Sequence, residues 1–219
     1  SLYKVPTVHR GLAMRASQPA INVPPVTLGL IALTFGAYAL LRLLMSDALW
    51  LVYDAFGFVP ARYSGGAGFG RPAFVAPFSY LFLHGDWMHL AVNLVTLAAF
   101  GSGVERRVGG ATTLSLFFLC GLVAAGAHYA VYPDSVDPVI GASGAISGLM
   151  AGALLVLRER GHMGGQPLVY LAALWILAFT LPDLIGLDAA GGARVAWVAH
   201  IGGFVAGLVL FQVFVRRSS

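Results

Sequence analysis

The sequence predicts an all-α fold: a polytopic membrane protein built as a six-helix transmembrane bundle with a first loop lying at the membrane interface. Three observations predict it. The chain is 58% hydrophobic and only 10% charged, with a mean hydropathy of +0.83, whereas soluble domains run to about a quarter charged. Its 13 Lys and Arg and 9 Asp and Glu are spaced so that apolar windows of roughly membrane-spanning length stay clear. A spanning helix and its turn use roughly 30 residues, so six of them consume most of the 219 residues and leave little for a water-soluble domain.

The windows fall near Val26–Leu44, Phe78–Phe100, Ala111–Val131, Gly141–Leu157, Leu168–Leu181 and Val195–Val215. Leu, Ala, Val and Phe dominate them, with the scattered Gly that membrane helices tolerate. Pro182 closes the short fifth window, since proline cannot continue a helix it interrupts. The longest connection, Ser46–Pro77, mixes Trp50, Tyr53, Phe56, Phe58 and Tyr63 with a Gly-rich stretch at Ser64–Gly70. Such aromatics suit the interfacial zone. Residues 1–25 then form a short cytoplasmic segment and 26–215 the transmembrane domain; Ser1–Asn22 lacks the compact apolar core of a signal peptide.

An even number of spans puts both termini on one side. With the N-terminus inside, Lys4, Arg10, Arg15, Arg106, Arg107, Arg158, Arg160, Arg216 and Arg217 are cytoplasmic, against Arg62, Arg71 and Arg194 outside. That asymmetry predicts cytoplasmic N- and C-termini. The arginines mark the margins of apolar runs rather than one basic face, which argues against a nucleic-acid partner. Cys120 stands alone, so no internal disulfide forms. The Ala-, Gly- and Arg-rich composition points to a bacterial inner membrane.

Against so apolar a background, intramembrane polar residues are functional candidates, because each needs a partner or a watery cavity. Three clusters enter their windows from the outer side: His84-Gly-Asp-Trp-Met-His89-Leu-Ala-Val-Asn93, Gly141-Ala-Ser143-Gly144-Ala-Ile-Ser147-Gly148, and Ala199-His200-Ile-Gly-Gly203-Phe-Val-Ala-Gly207. Ser143 falls two or three residues into its window, His89 about ten and His200 about five, so all three can meet in the outer half of a bilayer at about 1.5 Å per residue. His89 and Asn93, four apart, share a helix face.

Together these residues make a minimal kit for acyl transfer. The Ser143 hydroxyl becomes a nucleophile when a base takes its proton, and His200 is such a base. His89, Asn93 and the Ser143 backbone N–H are candidate donors to the developing oxyanion. Gly141 and Gly144 are expected to let the scissile peptide approach without a Cβ in the way. No Asp or Glu lies at a comparable depth near His200, so a dyad is expected rather than a triad. His84 is expected to be structural, or to order water at the mouth of the site. His128 reads as a rim or packing residue.

Across roughly Pro77 to Gly207 the chain resembles the rhomboid intramembrane serine proteases. The resemblance rests on His89-x-x-x-Asn93, Gly141-x-Ser143-Gly144 and Ala199-His200-x-x-Gly203-x-x-x-Gly207, in that order and each on its own span. It implies Ser143 as nucleophile, His200 as base, and His89 and Asn93 at the oxyanion site. It also implies that Glu105-x-Arg107 is the structural motif that follows the second span, and that Ser46–Pro77 is the membrane-embedded first loop. By charge alone, Glu105 and its arginines are expected to form a topology anchor and a local salt bridge. Two departures are visible. Ser147 stands where many relatives carry an aromatic that packs on the histidine, leaving either another ring or a looser site. The Trp-Arg pair common in the first loop is absent.

Other readings are weaker. Gly203-x-x-x-Gly207 by itself signals helix packing, and an isolated intramembrane serine usually bonds the carbonyl one turn back. Zinc on His84, His89 and His200 fares poorly, without a His-Glu-x-x-His or an acidic ligand; neither a metal nor an organic cofactor is expected. A membrane channel or transporter using the intramembrane histidines as a relay would need charged residues lining a path across the whole bilayer, and an inactive client-binding relative would lack Ser143 or His200. The expected activity is an intramembrane serine endopeptidase. Its partners are the lipid bilayer and single-pass or other transmembrane protein substrates, cut in or near the outer end of their spans.

Overall fold

The computed structural model describes residues 22–161 and 197–217, with Tyr170, Ala173, Leu174 and Leu177 between them. The long helices are α1 (Pro25–Met45), α5 (Trp87–Val108), α6 (Gly110–Val131), α7 (Ser143–Glu159) and α8 (Trp197–Arg217). Short helices α2 (Leu49–Phe56), α3 (Ala61–Ser64) and α4 (Ala76–Ser79) occupy the connection between α1 and α5. Four helical segments among the described residues are long and apolar enough to cross a membrane: α1 running on into α2, α5, α6 and α8. The protein is an integral membrane protein. The fifth predicted window, Leu168–Leu181, lies outside the described residues apart from the four named, which are helical.

Helix α7 is the centre of the bundle. It has 17 residues, of which twelve are buried, so it touches protein rather than lipid on nearly every side. It packs most extensively on α8, and also against α5 and α6. Small residues make this close approach possible. A Cβ added at Gly203 would collide with the Gly144 carbonyl, and one at Gly207 with the Gly148 carbonyl. On the α6 side, a Cβ at Gly144 would come within 2.6 Å of Ala124 Cβ, and one at Gly148 would overlap Cys120 Sγ.

The second span begins later than the sequence predicts. Phe78–Phe82 does not enter α5; it belongs to α4 and a 3-10 turn, and the backbone turns extended at Leu83. Asp86 then caps the new helix, its Oδ1 accepting from His89 N–H at 2.8 Å, as a capping aspartate does for an otherwise unpaired first-turn amide. His89 is therefore the third residue of its helix rather than about the tenth. The connection itself is folded: Tyr80, Leu81, Leu83 and His84 are buried, while Trp50, Phe69 and Phe74 are exposed, the disposition expected of a segment at a bilayer interface.

The far end of the bundle departs from the expected local salt bridge. Glu105 does not pair with its neighbouring arginines; it is buried and accepts from Val26 N–H at 3.0 Å, Thr27 N–H at 2.7 Å and Thr27 Oγ1 at 2.7 Å. It thus caps α1, which begins at Pro25 with no cap from its own side chains, and a negative group is favoured at that helix end. Arg107 instead pairs with Glu159 on α7 at 2.8 Å, and Arg106 donates to the Asn22 carbonyl.

Hydrogen bonds to a charged acceptor contribute about 1.5–3 kcal/mol each. Glu105→Ala, which strands two α1 amides, is expected to cost about 3 kcal/mol or more, with a smaller loss for Glu105→Gln. Thermal unfolding of the purified variants in detergent checks the ranking.

Candidate active site

The three polar clusters come together at one end of the bundle, at the N-terminal ends of α5, α7 and α8. Ser143 is the first residue of α7 and is half-buried, and no side chain caps that helix. Its first-turn amides, including the Ser143 N–H, are those a helix leaves without intrahelical partners. Buried His200, the fourth described residue of α8, places Nε2 2.7 Å from Ser143 Oγ. With the ring proton on Nδ1, Nε2 accepts from the hydroxyl, and a contact of this length is within reach of proton transfer.

Ser147 is turned away from this chemistry. It is fully buried, and its Oγ donates to the Ser143 carbonyl at 2.8 Å, the back-bonding usual for a serine inside a membrane helix. The hydroxyl therefore fastens the first turn of α7 at the position where many relatives carry an aromatic.

Gly141 forms the floor beside the serine. Its φ is +114°, in the region that disfavours side chains, and its N–H donates to the Tyr80 carbonyl at 2.8 Å. A Cβ here would sit 2.8 Å from His89 Nε2 and 3.7 Å from Asn93 Nδ2. The side chains of α5 thus close over this glycine and share the space above it. Gly144 has a different part from the expected one: its open side faces Ala124 and the Ala199 carbonyl, so it serves helix packing rather than substrate approach. Gly203 and Gly207 pack α8 onto α7, as their spacing predicts.

Asn93 is buried, with Nδ2 2.9 Å from His84 Nε2. An amide nitrogen only donates, so His84 accepts at Nε2 and carries its proton on Nδ1. One of the two Asn93 N–H bonds is used in this way, and the other remains for a further acceptor. His84 is fully buried, and burial, reinforced by nearby His89, pushes its pKa down to about 3, so the ring stays neutral and able to accept. Tyr53 fixes the same turn by donating to the His84 carbonyl at 2.6 Å. His84 is thus enclosed by protein rather than placed at the mouth of the site.

Three further contributors position the site, and two of them carry little advance signal in the sequence. Tyr80 holds Gly141 through its carbonyl and donates through its hydroxyl to the Gly121 carbonyl on α6 at 2.7 Å; it is buried, which raises its phenol pKa. Phe58 and Val139 exchange backbone hydrogen bonds of 3.0 and 2.9 Å, an isolated antiparallel bridge between the first connection and the segment before Gly141. Asp86 alone has a readable signature, an Asp three residues ahead of the amide it caps. Among the described residues no group of three metal-ligating side chains converges.

A helical membrane bundle with a serine–histidine pair at one end defines the class. A family model for the rhomboid domain matches residues 72–217, and the chain belongs to the rhomboid family. It is similar to the rhomboid protease GlpG of Serratia proteamaculans, 29% identical over 199 residues that cover 85% of this chain and 61% of that protein. It is 31% identical to RHOMBOID-like protein 5 of Arabidopsis thaliana over 141 residues, 64% of this chain and 43% of the relative. The rhomboid protease GlpG of Salmonella paratyphi A is 29% identical over 137 residues, 61% and 46% of the two chains. The chain spans 61% or less of the length of each of these relatives.

Gly141→Ala combines a disfavoured φ with a Cβ driven against His89. It is expected to cost about 1–3 kcal/mol and to displace the His89 ring. Thermal unfolding, together with the chemical shift of ring-labelled His89, measures the two effects.

Proposed function

We propose that the protein is an intramembrane serine endopeptidase that cleaves peptide bonds in or near the outer end of other proteins' transmembrane segments. The observation that carries this reading is the 2.7 Å pairing of Ser143 Oγ with His200 Nε2 inside a chain of the rhomboid family. His200 takes the Ser143 proton as Oγ attacks the scissile carbonyl, and returns it to the leaving amine. Water then adds to the acyl-enzyme by the same route, with His200 again the base. The oxyanion is met by the Ser143 N–H, by the second N–H of Asn93 and by His89, over the floor at Gly141; losing one such donor typically costs about 10²–10³ in turnover. Ser143, His200, His89 and Asn93 make up the reacting group. Gly141, Gly144, Gly203, Gly207, Glu105, Arg107 and His84 hold them in place.

A spanning helix hides its peptide carbonyls in its own hydrogen bonds, so a substrate must unwind locally before attack. Segments weakened by Gly or Pro near the cut are therefore preferred. The arginine distribution favours cytoplasmic termini, an orientation in which Ser143 opens toward the outer face, and the Ala-, Gly- and Arg-rich composition favours a bacterial inner membrane. Residues 26–215 then act as one catalytic domain, with 1–25 as its cytoplasmic lead.

Cleavage of a single-span model substrate in liposomes tests the proposal. Wild type and Ser147→Ala are expected to cut it; Ser143→Ala and His200→Ala are expected to lose at least about 10³-fold in rate. Undiminished cleavage by Ser143→Ala would sink the mechanism, and loss in Ser147→Ala alone would move the nucleophile to that residue.

A further inference from the structure

The end of the bundle opposite Ser143 carries a groove of about 410 Å³ between α7 and α8. Leu155 and buried Phe211 line its apolar depth, while Arg158, Gln212 and Arg216 stand exposed around it. Fifteen residues of α7 separate Ser143 from Arg158, about 22 Å along the helix, so the groove is no part of the site already described.

Its charge is unbalanced. Glu159 is the one carboxylate lining it, and that group is engaged by Arg107 on α5 at 2.8 Å. Arg158 and Arg216 form no ion pair among the described residues. Gln212 donates to the Leu208 carbonyl at 2.8 Å and supplies no negative charge. Two guanidiniums that face one groove repel each other until an anion comes between them, and the fork of an arginine matches phosphate oxygens well.

We propose that this groove binds the headgroup of an anionic phospholipid, with its phosphate between Arg158 and Arg216 and the start of an acyl chain against Leu155 and Phe211. Basic clefts between spanning helices at a membrane surface are suited to such headgroups. The apolar lining selects a lipid over free phosphate, because inorganic phosphate has nothing to place there. The groove belongs to two helices whose opposite ends carry Ser143 and His200, so an occupied headgroup clamps α7 to α8 at the far end of their shared glycine contact.

The test uses the full chain in a neutral detergent, titrated with phosphatidylglycerol, phosphatidylcholine or inorganic phosphate and read by native mass spectrometry. Wild type should retain phosphatidylglycerol selectively. The double variant Arg158→Gln/Arg216→Gln should lose about 25-fold in affinity, at about fivefold per cation. Arg71→Gln, an exposed arginine at the other end, should bind within twofold of wild type. Equal retention of phosphatidylglycerol by the double variant, or equal retention of phosphatidylcholine by wild type, overturns the proposal. Competition by inorganic phosphate at the lipid's own concentration overturns the lipid assignment, as does displacement of the lipid by an acidic peptide.

Discussion

The separation of α7 and α8 governs the rest of the molecule. Gly203 and Gly207 lie directly on the carbonyls of Gly144 and Gly148, with no room for a single methyl group between them. Without a hydrophobic driving force between helices in lipid, such backbone contact and its dispersion energy are what hold two spans together. The same contact sets the chemistry. Ser143 is next to Gly144 on one helix, His200 is three residues before Gly203 on the other, and the oxygen–nitrogen distance between them is 2.7 Å. A methyl group at Gly203 would push the helices apart by more than a hydrogen bond tolerates.

The groups behind this pair fix the positions of the elements that carry it. Tyr80 ties Gly141 to the first connection and to α6, Asp86 sets where α5 starts, and His84 holds the Asn93 amide. At the opposite end Glu105 closes the start of α1, and Arg107 reaches across to Glu159 on α7. Helix α7 therefore has its Ser143 end and its charged end anchored by different partners. The short central helix and its burial go with that position: its N-terminus starts inside the protein, where Ser143 is within reach of side chains from α8.

Much of this was legible in the sequence because polar residues are scarce in it. The windows for α1, α6, α7 and α8 fall within about two residues of the helices, and the three motif clusters do meet at one end. The start of α5 was not legible from hydropathy, since Phe78–Phe82 is as apolar as the helix it precedes. What separates them is the turn at Leu83 and the cap at Asp86, local hydrogen-bonding events that a window average erases. The partners of Glu105 escape the sequence for a related reason. Sequence proximity to Arg106 and Arg107 favours a local ion pair, whereas its actual partners are amides of α1 about eighty positions away, brought near only by packing. The distinction between Gly141, which faces the α5 side chains, and Gly144, which faces α6, likewise depends on neighbours that no spacing rule contains.

The central claim is that His200 makes Ser143, and no other serine, nucleophilic. Labelling with a fluorophosphonate followed by peptide mapping tests it most directly. A single adduct on Ser143 is expected in the wild-type protein, with its loss in His200→Ala and its marked weakening in Gly203→Ala as the two helices separate. An adduct on Ser147, or a Ser143 adduct of undiminished yield in His200→Ala, would contradict it.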